Sequence, residues 1–262
     1  MSIHRYEMTD AEWAIIEPLI VRRHRGRPQK DIRAHMNGIL WIARSGARWE
    51  DLPARYGPHQ TVYSCFCRWR DDGTLEKIFE ALHEGGRSFR NKHRLNSRKS
   101  ICTGKPWAKK AIRAARESFC IGTTRGGKTT KIHSLVNRIG LPVQLAITAG
   151  NVQDCSEAIP LVEQSPLKTG SNLLGDRIYG SREFRNYLTG RKILYTIPPK
   201  KNIKNPWPYD KAGYKRRNIV ERFFCRIKDF RRIATRYDKR DDSFFAFVLL
   251  AASFVSFAIL HI

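Results

Sequence analysis

Acid is scarce in this chain: 24 Asp and Glu stand against 49 Lys and Arg, a formal net charge of +25. The shortage is sharpest in the middle. Between Glu84 and Asp154 the only acid is Glu117, and no Asp occurs. A charge so one-sided, with a pI near 10.3, points to a polyanionic partner and to binding that weakens steeply with salt. Nucleic acid is the natural candidate. A ribosomal type of basic protein is the plainer alternative, but 41% hydrophobic residues are enough to bury a real core.

Close cysteine pairs are missing too. Cys65, Cys67, Cys102, Cys120, Cys155 and Cys225 include no Cys-x2-Cys, and Cys65-x-Cys67 has the wrong spacing for a zinc knuckle. Reduced, partly buried thiols in a cytosolic protein are expected. The first 20 residues lack an apolar run, so no signal peptide is expected. Phe244 to Ile262 contains no Lys, Arg, Asp or Glu and meets the crude length of a membrane span. Ser253, Ser256 and His261 interrupt it, and a buried terminal helix, with no membrane, is the expectation.

Residues 1–84 read as a helical domain. Thr9 or Asp10 caps a helix from Ala11 to about Ile20, kinked at Pro18. Arg22 to Pro28 is a basic loop containing Arg25 and Arg27. A second helix runs from Asp31 to Ser45, closed by Gly46. Thr61 then caps a third, Val62 to Asp71, and a fourth starts at Thr74. Helix, Gly-Pro turn and a helix bearing Tyr63, Arg68 and Arg70 is a helix-turn-helix pattern, with Arg68 and Arg70 on the candidate recognition helix. Many three-helix bundles share that outline.

From residue 121 the pattern is α/β. Lys131–Val136 and Val143–Thr148 read as a hairpin, Leu173–Asp176 and Ile193–Ile197 as further strands. Helices are expected over Ser156–Glu163 and Ser181–Leu188, and around Glu221. That order predicts one mixed sheet with helices on its faces. Asp176 falls at the C-terminal end of a strand, where ligands of open α/β sheets collect. It could instead cap the helix that follows, although Ser181 is the better cap.

The string Tyr214-x2-Arg217-x3-Glu221-x6-Lys228 has helical spacing and sets one carboxylate between cations. Such a carboxylate stays ionised and suits a hard metal, while the cations suit phosphate. Ordinary surface ion pairs would give the same letters. The fixed spacing and leading Tyr resemble the signature around the last acid of the DDE transposases of bacterial insertion sequences (the insertion sequence four/five superfamily). Leu174-Gly-Asp176-Arg-Ile-Tyr-Gly180 resembles the setting of that family's second acid, with Ile178 in place of a Gly. Thr9-Asp10-Ala11-Glu12-Trp13, Arg25-Gly26-Arg27-Pro28, Asn37-Gly38-Ile39-Leu40-Trp41 and Tyr56-Gly57-Pro58 resemble its N-terminal domain.

The resemblance implies a ribonuclease-H-like fold over residues 121–262. It implies a protein that binds the terminal inverted repeats of its element and cuts and rejoins DNA by metal-dependent phosphoryl transfer. Asp176 and Glu221 would hold Mg2+ (or Mn2+), with Tyr214, Arg217 and Lys228 as catalytic surroundings. Terminal-repeat and target DNA are the implied partners, with a homodimer on DNA in the bacterial cytoplasm, associated with the nucleoid. The family also carries a first acid upstream of Arg125-Gly126-Gly127. Here it is absent, and residues 85–120 form a basic, degenerate segment in which Asn96 stands at the first-acid position. A frameshift out of and back into frame, an Asp-to-Asn change, or a natural basic insertion each account for it. Loss of that charge predicts a protein defective in cleavage. The alternative function is a non-catalytic DNA-binding relic that represses or inhibits transposition. Gly122-x4-Gly127-Lys128-Thr129 matches a phosphate-loop pattern in letters only, because a strand pattern follows it where that loop needs a helix.

Overall fold

The computed structural model describes residues 6–20, 31–91, 120–125 and 127–261. Arg25, Arg27 and Asn96 lie outside the described residues, as does most of the segment 85–120. The chain divides into two compact units, Met1–Phe119 with Cys225–Ile262, and Cys120–Phe224. The second unit begins at Cys120, beside the boundary read from the sequence at 121. It ends at Phe224, not at 262, because the terminal residues join the N-terminal helices.

The helical unit opens with α1 (Asp10–Ile16), which carries a reciprocal cap. Thr9 Oγ1 accepts from the Glu12 amide at 3.1 Å, and the Glu12 carboxylate accepts from the Thr9 amide at 2.7 Å. Pro18 sits in a 3-10 turn, Glu17–Leu19, which ends the helix earlier than expected. In α2 (Ile32–Ser45) the Asp31 carboxylate accepts from the Ala34 amide at 2.9 Å. Gly46 closes α2 at φ 70°, where a Cβ would meet that of Arg231 at 3.0 Å. Next, α3 (His59–Asp71) starts directly after Pro58, so Thr61 lies inside its first turn and is not the cap. After Gly73 comes α4 (Thr74–Asn91).

In the second unit β1 (Gly122–Thr124), β2 (Gly127–Val136) and β3 (Pro142–Ala149) form an antiparallel sheet in that order. Asn137 Oδ1 shapes the β2–β3 turn by accepting from the Ile139 and Leu141 amides, both at 3.0 Å. A 3-10 turn, Asp154–Glu157, leads into α5 (Ala158–Glu163). Then β4 (Asn172–Leu174), α6 (Arg182–Gly190) and β5 (Leu194–Thr196) follow, with β4 and β5 parallel. Ser181 caps α6 by accepting from the Phe184 amide at 3.2 Å. Ala158, Val162, Leu173, Phe184, Leu188, Ile193 and Ile197 form the buried cluster that joins α5, α6 and the β4–β5 pair. The expected single mixed sheet is two separate sheets, since no described strand bridges β2 and β4.

The Glu221 region is segmented. A short α7 (Lys211–Tyr214), a 3-10 turn (Lys215–Arg217) and α8 (Asn218–Ile227) follow one another, where one uninterrupted helix was expected.

Beyond α8, α9 (Arg231–Ala234) and α10 (Asp241–Leu260) complete the helical unit. By length and composition α10 could cross a membrane, yet 83% of its most apolar stretch is buried inside the protein. It packs on α2, α3 and α4. Phe247 stacks on Phe66 with ring centroids 4.5 Å apart. At its start the unit buries charge in pairs: Arg70 donates to Ser243 Oγ at 2.7 Å and faces Asp242 at 3.7 Å. Arg232 holds Asp238 through two bonds of 3.0 Å and reaches Ala47 O at 3.0 Å.

Candidate functional site

The second unit contains a cavity of about 270 Å³. Its lining brings together Asp176, Glu221 and Arg217, three of the residues picked out by sequence, with Asp154, Glu157 and Tyr179. Asp176 lies just past the end of β4, half-buried, and caps the 3-10 turn Arg177–Tyr179 by accepting from the Arg177 amide at 2.6 Å. Glu221 is exposed on the first turn of α8 and accepts from Arg217 at 2.5 Å. The pair is the i,i+4 bridge that the spacing requires.

Around these acids the surroundings are mixed. Lys131 Nζ bridges Asp154 Oδ1 at 2.8 Å and also donates to Val152 O at 2.7 Å. Burial pushes the Tyr179 phenol up to about 12, and the nearby charges of Asp154 and Asp176 push the same way. Burial likewise raises Tyr214, with the Asp176 charge adding to it and Arg217 opposing. Burial raises the Glu157 carboxyl and lowers His133, whose Nε2 lies 2.8 Å from Thr148 Oγ1. Protonation of these groups is thus set mainly by burial.

Tyr214 stands at the end of α7 with its ring 5.7 Å from the Arg217 guanidinium. Lys228 belongs to the helical unit, just beyond α8. Of the two candidate recognition-helix cations, Arg70 is buried, 5% exposed, and its guanidinium is engaged by Asp71, Asp242 and Ser243. The expectation that it faces DNA meets that burial: a side chain committed to α10 cannot also reach a groove. Arg68 is half-buried and donates to Cys65 Sγ at 3.6 Å. The phosphate-loop letters lie on β1 and β2, with no helix after Gly127.

A divalent metal needs oxygen donors that converge. Among the described residues no three His, Cys, Asp or Glu side chains stand close enough to hold one. Two of the cavity carboxylates, Asp154 and Glu221, are held by cations. The described residues alone do not complete a site for such an ion. Glu157 was not among the residues that the sequence picked out, and Tyr179 entered only as part of the motif around Asp176. The available signal was position, since Asp154 follows the end of β3 as Asp176 follows β4.

Comparison with known proteins agrees with the family resemblance. Residues 8–79 match the family model for a transposase of the IS4/5 family, and residues 87–205 match that for a transposase DDE domain, which takes in Asp176 but stops before Glu221. A Brucella ovis protein named as a transposase for insertion sequence element IS6501 is 33% identical over 128 residues, 48% of this chain and 97% of that protein. A Burkholderia cepacia protein named as a transposase for insertion sequence element IS402 is 27% identical over 142 residues, 51% of this chain and 65% of that protein. No solved structure matches the chain. With both family models and the IS6501 relative in agreement, this chain belongs to the insertion-sequence DDE transposases of the IS4/5 family.

Proposed function

We propose that this transposase-family protein binds the terminal inverted repeats of its insertion sequence, as a homodimer in the bacterial cytoplasm, and does not cut them. The observation that carries the reading is the carboxylate set of the cavity. Asp176 and Glu221 line it together, but no third acid joins them in a metal-holding group among the described residues. Two-metal phosphoryl transfer needs carboxylates on both sides of ions about 3.5–4 Å apart. The ribonuclease-H-like reading of the second unit rests on its order: antiparallel strands, then a parallel pair with an acid past β4, then Glu221 on a later helix.

Binding rests on charge that the missing acid does not diminish. Lys200, Lys201, Lys204, Lys215, Arg216 and Arg222 are exposed cations of the second unit, placed to meet phosphate. In the helical unit, α2, α3 and their turn keep a helix-turn-helix reading, with Gln60, Thr61, Tyr63 and Ser64 on the exposed side of α3. The test is a magnesium-dependent nicking assay on DNA bearing the element's ends, beside binding measured over a salt series. Binding that falls with salt and no nicks are expected. Robust cleavage would overturn the reading.

A repressor at the element's ends is the second reading, favoured by the same incomplete carboxylate set. Truncation after residue 85 is a poor test, because it removes α10 from the core of the helical unit. Repression of a reporter driven through the element's ends by the full chain is the better one. An unchanged reporter removes this reading.

A further inference from the structure

Arg232 of α9 is buried, and its guanidinium is committed inside the helical unit to Asp238 and Ala47 O. Three rings stand around that fixed charge. The guanidinium carbon is 4.8 Å from the centroid of Phe247, 5.8 Å from that of Trp49 and 6.0 Å from that of Tyr237. Trp49, on the 3-10 turn Trp49–Asp51, extends the row to Tyr63 of α3, edge to face at 5.1 Å. Behind Trp49 lie Phe66 at 5.5 Å and Phe247 at 6.2 Å. Gly46 makes room at the other end, where a Cβ would stand 3.2 Å from Tyr237 Cε2. The row is anchored in the core and both its ends reach solvent, with Tyr63 43% and Tyr237 54% exposed.

A single exposed ring needs no explanation. These two share one rigid support and are fringed by cations: Arg231, Lys239 and Arg240 are exposed on the segment that carries Arg232 and Tyr237. Arg240 holds Asp242 yet keeps 62% of its side chain in solvent. It lies beside Tyr63, whose phenol the Cys67 thiol and burial push up while the charges of Arg70 and Arg240 push it down. Exposed acids, Glu50 and Asp51, belong to the Trp49 turn, and Arg48 precedes them, so phosphate is better met along Arg231, Lys239 and Arg240. In a duplex each base face is covered by its neighbours, whereas an unpaired base offers its face to a ring. We propose that Tyr63 and Tyr237, fixed through Trp49 and Arg232, form a stacking platform for the unpaired bases of single-stranded DNA, with Arg231, Lys239 and Arg240 meeting its phosphates. The platform rests on DNA as the partner and adds a single-stranded form to the duplex ends.

The experiment uses the full chain, an oligothymidine of about fifteen nucleotides, which cannot pair with itself, and a duplex bearing the element's ends. Binding is read by fluorescence anisotropy over a salt series. Tyr63→Leu and Tyr237→Leu remove a ring and keep apolar bulk, and each should weaken oligothymidine binding about fivefold or more. Tyr63→Phe and Tyr237→Phe keep the ring and should stay within about twofold. The salt slope should not change in any of the four, because stacking releases no counterions, while Lys239→Ala should lower it by about 0.7 of an ion. Duplex affinity should be unmoved in Tyr237→Leu. Ultraviolet cross-linking of oligothymidine to the unaltered protein should map to Tyr63 or Tyr237, a readout that needs no variant to fold. Absence of oligothymidine binding, cross-links only elsewhere, or Leu variants that bind like the parent would overturn the proposal. Equal losses for duplex and oligothymidine in Tyr237→Leu would mean that the rings serve the duplex, and would overturn it too. Duplex ends left unbound while oligothymidine binds through the rings would sink the end-binding reading alone.

Discussion

The helical unit and the sheet unit use charge in opposite ways. In the helical unit Arg70, Arg232, Asp241 and Asp242 are all buried, and bonds among such groups tie α3, α9 and α10 to the rest. In the sheet unit the acids that matter are half-buried or exposed and gather at a cavity rim. Buried pairs fix geometry and are silent toward solvent, while rim charges cost little to build and stay available. The contrast explains why the cations that looked best for DNA by sequence include one used for architecture.

The largest effect should come from emptying the aromatic core of the helical unit. Phe247 is fully buried, stacked on Phe66, with the Arg232 guanidinium 4.8 Å from its ring. Phe247→Ala should destabilise that unit by about 3–5 kcal/mol, read by urea denaturation with exchange protection followed in α2 and α4. Protection lost equally in β2 and β3 would show that the two units do not unfold as separate plans.

Arg70→Ala sharpens the same contrast. It leaves Asp242 buried, still held by Arg240, and should cost roughly 3 kcal/mol of stability. In protein that remains folded, the slope of DNA affinity against salt should not change, because Arg70 does not meet phosphate. A slope shallower by about one ion would return this residue to the DNA interface.

Acidity separates the units next. Glu76 on α4 is 4% exposed, its Oε2 has no hydrogen-bond partner, and burial pushes its carboxyl up to about 7. The folded state therefore holds the proton more tightly than the unfolded chain. Its contribution is full below the ordinary carboxylate range near 4.5 and is lost as pH rises through about 7. The helical unit should weaken by up to about 3 kcal/mol over that window, and Glu76→Gln should flatten the dependence. An unchanged pH profile in the variant would mean that the carboxyl finds a partner in solution.

Local features were legible in the sequence because local chemistry decides them. The Ser181 cap, the β2–β3 hairpin and the end of α2 at Gly46 follow from single residues and short periods. The Arg217–Glu221 pair was legible for the same reason, since residues four apart meet on one helix face. What sequence hid is non-local. Arg70 looks like a surface cation until Ser243, far along the chain, turns out to hold it. Nor does the pattern of strands say that β2 and β4 fall in separate sheets among the described residues, because pairing partners are set by the whole fold.

The smallest stability effect should fall on the pair whose spacing resembles the family's last-acid signature. Arg217 and Glu221 form an exposed i,i+4 pair, with side chains 28% and 59% accessible. Water screens such a pair, and holding two long side chains together opposes it, so Arg217→Ala should cost less than about 1 kcal/mol. The same change removes a cation beside the cavity and releases Glu221 from its partner. If Arg217 meets a phosphate, DNA affinity should fall and its salt slope should lose about 0.9 of an ion, measured by gel shift across a salt series. A residue that contributes almost nothing to folding and one ion to binding is there for its ligand. Loss of several kcal/mol on urea denaturation, with binding intact, would instead make this helix face architectural, and the two units would then use their charges alike.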